Sequence, residues 1–241
     1  MGVSKGFFMK ITNVILGLIL LCAASFVSCK TFNITSTNEK VGIRPGIVLF
    51  TFDDGPNHHD NTTERLLDVL NRYEVKGVFC LLGVNVVANP EIVRRIHNEG
   101  HIIVNHGYSE KINYFMNDDE FRENLHLGNR AIAEALGFEI YPKLFRPHGG
   151  VYSPSQQRII HEYGYTIIPF TVNIIDAYTK ENRKNRLVRR IVERVEKQNG
   201  GIILLHDGGN NRSWIPDAVE EIIIALLGKG FILNETFDFT L

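Results

Sequence analysis

The chain alternates short apolar runs with amphipathic stretches, and most of the apolar runs end in a polar residue able to do chemistry. The runs at 46–50, 77–82, 101–104, 144–145, 165–172, 201–205 and 231–233 are dominated by aliphatic and aromatic side chains. Several are bounded by Gly or Pro, the pattern of buried strands. Between them the spacing predicts helices over 61–73, 90–99, 118–136, 153–163, 185–198 and 215–227. Leu66, Leu67 and Leu70 make one apolar face, Pro90 stands at a helix start, and Gly100, Gly137 and Gly164 stand after helix ends. About seven β-α units in succession predict an α/β fold with a parallel sheet and helical crossovers.

The polar residues after those runs are Asp53-Asp54, His106, Arg146, Asp176 and His206. Each is expected at or near the carboxyl end of a strand. A closed (β/α) barrel gathers those ends on one rim, and an open doubly wound sheet gathers them along one edge. Two adjacent carboxylates are costly to bury without a cation or hydrogen-bond donors. A carboxylate, an imidazole and a further carboxylate in one cleft can hold a divalent metal, and Asp54, His106 and Glu110 fit that description. His106 and Glu110 are four apart, so one helical turn would put both on one face. Gly-rich fingerprints of nucleotide binding are absent.

With 26 basic and 27 acidic side chains the formal net charge is −1. That balance carries no electrostatic footprint for nucleic acid. At the N-terminus, Lys5 and Lys10 precede the apolar stretch 14–22, and small residues follow at Ala23, Ala24 and Ser25. This is the layout of a secretory signal, shorter than the roughly 20 apolar residues of a membrane span. A retained signal anchor is the alternative. Phe26-Val27-Ser28-Cys29 is similar to a lipoprotein cleavage site, which would leave Cys29 lipidated. Losing residues 1–28 removes two lysines and no acids, which moves the formal charge from −1 to −3. The expected organisation is a signal segment at 1–29, a polar tether at 30–45 and one folded domain at 46–241. The mature protein is then secreted or extracytoplasmic, with membrane contact only through the anchor or Cys29. Cys80 lies in an apolar run and reads as a buried, unpaired small hydrophobe.

Four motifs carry a resemblance. Thr51-Phe52-Asp53-Asp54-Gly55-Pro56 resembles the first motif of the polysaccharide deacetylases, the NodB-homology group of carbohydrate esterase family 4 type. The segments 100–109, 145–150 and 204–207 resemble the second, third and last motifs, in the same order and spacing. The resemblance implies a distorted (β/α) barrel of about seven units and hydrolysis of N-acetyl groups on an amino sugar. The substrate would be an extracytoplasmic polysaccharide, peptidoglycan or chitin-like. Carried over, Asp53 is the general base, Asp54 and His106 are metal ligands, and Arg146 orients Asp53. His206 is the general acid, aimed by Asp176. A backbone N–H near Gly149 stabilises the oxyanion, and His148 contacts substrate or fills space. The cofactor implied is a divalent metal, Zn²⁺ or Mn²⁺, Mg²⁺ or Co²⁺.

Three departures stand out. The family usually has His at the position of Glu110. A carboxylate there would favour hard metals such as Mn²⁺ or Mg²⁺ over Zn²⁺. His148 stands where the family usually has Pro. Asn173 and Ala177 replace an Asp and a Trp of the fourth motif, which weakens the aim of His206 and removes an aromatic wall. Two other readings follow, a catalytically silent glycan binder on the same fold and an amide hydrolase for a non-sugar substrate. Tyr108, Tyr152 and Trp214 are read as sugar-stacking groups or core. His58 and His59 are read as a polar loop near Asp54, His101 as a packing residue, and Asp207 as a turn cap.

Overall fold

The computed structural model describes the backbone at residues 33–34 and the residues 44–173, 176 and 179–234. The expected signal segment, Cys29 and most of the 30–45 tether lie outside the described residues, as does Ala177. The elements run β1 (Asn33–Ile34), β2 (Val48–Gly55), α1 (Thr62–Arg72), β3 (Gly77–Leu81), α2 (Gly83–Ala88) and α3 (Pro90–Asn98). Then come β4 (Ile102–Asn105), α4 (Asp118–Leu136), β5 (Leu144–Phe145), β6 (Val151–Tyr152) and α5 (Pro154–Glu162). The last are β7 (Thr166–Ile167), β8 (Val172–Asn173), α6 (Lys184–Gln198), β9 (Gly201–His206) and α7 (Ile215–Leu227).

Seven strands form one sheet in the order β7-β5-β4-β3-β2-β9-β8, every pair parallel. The sheet curls into an incomplete (β/α) barrel whose edges are β7 and β8. The backbone at β1 pairs antiparallel with β6 in a separate two-stranded ribbon. Strand alternation divides the core in two. Phe50, Phe52, Phe79, Leu81, Ile203 and Leu205 face outward and pack against the helices. Leu49, Val78, Cys80, Val104, Ile202 and Leu204 line the inside. Complete burial of each large side chain contributes about 1.5–3 kcal/mol, which makes β2, buried on both faces, the axis of the fold. The same alternation puts Thr51 and Asp53 on the inner face above Leu49, so the inside of the barrel changes from apolar to polar toward its carboxyl rim.

Local chemistry sets the helix ends. Asn117 and Ser153 head α4 and α5 with capping boxes to Glu120 and Gln156. Gly137 ends α4 at φ 86°, where a side chain would be strained. Three features differ from the sequence expectations. Gly83–Ala88 forms a short helix that the β-branched Val84, Val86 and Val87 did not suggest. The first amides of that helix donate to the carbonyls of Gly107 and Tyr108, so a tertiary contact overrides weak propensity. The run 165–172, read as one strand broken by Pro169, becomes two separate strands, β7 and β8, at opposite edges of the sheet. At the C-terminal end, 231–233 contributes only a parallel bridge between Ile232 and Ile47.

Candidate active site and metal centre

The last residues of β2 break strand alternation. In a regular strand Asp53 and Asp54 would point to opposite faces. Here the β2–β3 register slips between Asp53 and Gly55, and Asp54 adopts φ 71°, a costly conformation for a residue with a side chain. As a result His106 Nε2 lies 3.6 Å from Asp53 Oδ2 and 3.3 Å from Asp54 Oδ1. Asn85 steadies the turn by donating to the Asp54 carbonyl at 2.7 Å.

Arg146 follows β5 and is completely buried. Its Nη1 donates to Asp53 Oδ1 at 2.6 Å and to Thr51 Oγ1 at 2.8 Å. Its Nη2 donates to the Pro169 carbonyl at 2.9 Å. Burial pushes the Asp53 carboxyl up, but Arg146 first, then His106 and His206, hold it below the usual carboxylate range. Asp53 is therefore ionised at neutral pH, with Oδ1 engaged by Arg146 and Oδ2 turned toward the cluster. Cys80, its register partner on β3, is buried as expected, and burial first, then the neighbouring Asp53, keep its thiol protonated.

Three ligand atoms, one each from Asp54, His106 and His148, lie within 4.8 Å of one another. The His106 Nδ1 lies 2.6 Å from the Arg146 carbonyl, which fixes Nδ1 as the donor and turns Nε2, the atom a cation would take, toward Asp54. His148 stacks on His106, with centroids 5.2 Å apart and planes at 11°, and its Nδ1 is 3.9 Å from Asp54 Oδ1. That Nδ1 is buried without a hydrogen-bond partner. Burial, and after it the charge on His106, lowers the His148 pKa, so the ring is neutral and offers a lone pair. For His106, burial opposes charge but Asp53 and Asp54 outweigh it and raise its pKa. The two carboxylates thus draw positive charge to this spot. Donors about 2.1 Å from one tetrahedral ion sit ~3.4 Å apart, close to the 3.3 and 3.9 Å found here. An orphaned buried nitrogen, an aimed imidazole and a carboxylate fit a divalent cation.

Glu110 is not among them. Residues 106–110 form no helical turn, so the four-residue spacing does not align their side chains. Asn124 Oδ1 instead accepts from the Tyr108 and Ser109 amides and holds this segment as an irregular loop, leaving Glu110 exposed. The two departures read separately from the sequence, Glu110 for His and His148 for Pro, are complementary. One histidine is lost from the loop after β4 and another is supplied from the loop after β5. The sequence signal was present in that gain and loss, but residues 38 positions apart in number give no spacing cue. Asn113 fixes the His148 loop, accepting from the His148 amide at 2.6 Å and donating to its carbonyl at 3.2 Å. Gly149, next along, has φ 83°, and a Cβ there would come 2.7 Å from Ile112 Cγ2.

His206 ends β9 and is the register partner of Asp53 across the β2–β9 pairing. Asp176 holds it twice, with Oδ1 2.7 Å from Nδ1 and Oδ2 accepting the His206 amide at 2.8 Å. Burial disfavours the imidazolium, yet Asp176 raises His206 to about 9. Nδ1–H is thereby committed to Asp176, and Nε2–H is free to donate. Despite the weakened fourth motif, Asp176 is buried and in place, with Arg212 donating to its carbonyl at 3.0 Å. The site therefore holds an ionised acid beside a protonated base, the arrangement that splits acid and base roles at one pH.

Asp207 exceeds the expected turn cap. It is completely buried, accepts from Thr63 Oγ1 at 2.5 Å and packs against Gly55, where a Cβ would lie 2.6 Å from its Oδ2. Burial raises its carboxyl to about 7. Its buttressing of the Asp-Asp turn was not legible from sequence. Trp214 and Tyr152 are buried, and Tyr108 is half-buried against Gly83, so all three belong to the packing. His101 is a core residue whose Nδ1 accepts the Gly77 amide at 3.1 Å. His58 and His59 are exposed and stack on each other, outside the cluster.

The polysaccharide deacetylase family model matches residues 40–168. The chain is 34% identical over 190 residues to a peptidoglycan-N-acetylglucosamine deacetylase of Bacillus cereus, covering 77% of this chain and 84% of that protein. Among solved structures, the Bc1960 peptidoglycan N-acetylglucosamine deacetylase superposes with TM-score 0.67 at 31% identity, covering 78% of this chain and 84% of that one. A family 4 acetyl xylan esterase of Clostridium thermocellum, solved with a cobalt ion, gives TM-score 0.61 at 30% identity, with 76% and 85% covered. These matches and the curled parallel sheet define a carbohydrate esterase of family 4 type. The chain belongs to the polysaccharide deacetylase family, a family of metal-dependent hydrolases.

Proposed function

We propose that this protein removes N-acetyl groups from amino sugars of peptidoglycan in an extracytoplasmic compartment, using a divalent metal. The observation that carries this reading is the pairing of ionised Asp53 with protonated His206 on adjacent strands, beside a pocket that draws positive charge. A silent glycan binder needs neither proton carrier.

A divalent cation held by Asp54, His106 and His148 would polarise the acetyl carbonyl and acidify a nearby water, in favourable sites from 15.7 to about 7. Asp53 takes the proton of the attacking water, its carboxylate fixed in orientation by Arg146. A backbone N–H near Gly149 donates to the carbonyl oxygen as it gains charge, a contribution of about 3–4 kcal/mol. His206 Nε2–H then passes its proton to the sugar nitrogen as the C–N bond breaks, giving acetate and a free amine. Asp176 keeps the imidazole charged and aimed until that step. With Glu110 outside the cluster, the donor set is two imidazoles and one carboxylate. That set favours Zn²⁺ or Co²⁺ and disfavours Mg²⁺, which prefers oxygen ligands, so the expectation of a hard-metal preference is revised.

Acetate release from N-acetylglucosamine oligomers tests the proposal. Release that stops with a chelator and returns with Zn²⁺ or Co²⁺ is expected. No release with any of Zn²⁺, Co²⁺, Mn²⁺ or Mg²⁺, alongside retained oligomer binding, would instead support the silent binder.

A further inference from the structure

A concave cleft with about 180 Å³ of space lies between Thr179 and the start of α6, lined by Thr179, Arg183, Arg186, Leu187 and Arg190. Arg186 and Arg190 are one helical turn apart, and Arg183 precedes them by one 3-residue step, so all three arginines line one concavity. Three neighbouring cations have acidic partners. Lys184 pairs with Glu221 at 2.7 Å, Arg189 with Glu193 at 3.7 Å, and Lys229 with Glu196 at 2.8 Å. Among the described residues, no carboxylate lies within ion-pairing distance of Arg183, Arg186 or Arg190. Like charges gathered without counter-charge repel, and an anion in the cleft relieves that repulsion. In a chain of net charge −1 the concentration of cations here is local and not a property of the whole surface.

The position of the cleft bears on substrate. The Thr179 amide donates to the Asp176 carbonyl at 2.7 Å, and the Asp176 carboxylate holds His206. Thr179 on the cleft wall is thus one hydrogen bond from the residue that aims the leaving-group acid, and the other lining residues lie at the start of α6. Neutral sugars make no use of three guanidiniums, whereas planar Arg forks match carboxylates in bidentate geometry. We propose that the Arg183–Arg186–Arg190 cleft is a subsite that receives a carboxylate borne by the glycan next to the reacting sugar. The inference rests on the deacetylase reading and narrows it to acidic amino-sugar chains.

The test compares a neutral N-acetylglucosamine tetramer with a tetrasaccharide alternating N-acetylglucosamine and N-acetylmuramic acid, which carries carboxylates. The enzyme is used wild type, as the triple variant Arg183→Gln/Arg186→Gln/Arg190→Gln, and with all three changed to Lys. The Gln variant should raise KM for the acidic chain roughly tenfold with kcat unchanged. The neutral tetramer should respond equally in all three proteins, the Lys variant should recover part of the loss, and added KCl should raise only the acidic-chain KM. An equal effect on both substrates, or none on the acidic one, overturns the subsite. If neither glycan yields acetate, fluorescence anisotropy of a labelled acidic tetrasaccharide decides separately. Weaker binding to the Gln variant supports the subsite even as the deacetylase reading fails, and equal binding overturns it.

Discussion

Replacing Asp176 by Asn removes one charge and leaves a side chain of the same shape. Asn can still accept the His206 amide, so the backbone contact at 2.8 Å and the fold should persist. What changes is the proton on His206. Against burial, Asp176 is the leading reason that this imidazole stands at about 9, not at the ordinary 6.5. That difference corresponds to about 3 kcal/mol in favour of the charged form. At pH 8 a group at about 9 is ~90% protonated, and one at 6.5 only ~3%, so the population of competent acid falls ~30-fold. At pH 6 the same substitution costs less than about twofold in that population. Asp53 and Asp54 still favour the charged ring in the variant, so this contrast is an upper bound. The assay is kcat for acetate release from pH 5.5 to 9.5, wild type against Asp176→Asn. The high-pH limb should move down from near 9 toward 6.5. A loss of equal size at every pH would show that Asp176 is merely structural, and would refute the assignment of His206 as the acid.

Asp53→Asn should lower kcat by about 10²–10⁴-fold while Zn²⁺ affinity, measured by calorimetric titration, stays within about threefold. An active variant removes Asp53 as the base. Arg146→Gln leaves Asp53 buried with its main counter-charge gone, and should cost about 3–5 kcal/mol in urea unfolding. A cost below about 1 kcal/mol would mean that Thr51 and His106 suffice. Asp207 has a folded pKa near 7 against about 3.8 unfolded, so the folded state favours its proton. That contribution is complete below the unfolded value and disappears as pH rises through about 7, a swing of up to about 4 kcal/mol. Asp207→Asn should therefore gain stability relative to wild type between pH 4 and 8, read as thermal midpoints. A difference independent of pH contradicts the shift.

The strand ends were legible because buried parallel strands are written as continuous apolar runs, and the residue following each run is at the rim by construction. Asp53, His106, Arg146, Asp176 and His206 were all found that way. Helices were legible where their ends were marked, by Gly137 after α4 and by Ser153 before α5. Legibility failed where tertiary contacts decide. The helix Gly83–Ala88 exists because the loop after β4 accepts its first amides. Glu110 was read on a helical spacing that Asn124, fourteen residues later, prevents by capturing the amides of Tyr108 and Ser109. His148 comes to Asp54 only because β5 and β2 lie in one curled sheet, with β4 and β3 between them. Asp207 gave no cue because a buried carboxyl and a solvated turn cap look alike in sequence.

Acetate release titrated with Co²⁺ in the His148→Ala and Glu110→Ala proteins, beside wild type, separates the two possible ligand sets in one experiment. The geometry predicts that Glu110→Ala follows the wild-type curve, and that His148→Ala needs at least about tenfold more Co²⁺ to reach half its maximal rate. The reverse ordering, with Glu110→Ala shifted and His148→Ala unmoved, would contradict the Asp54–His106–His148 centre on which this account depends.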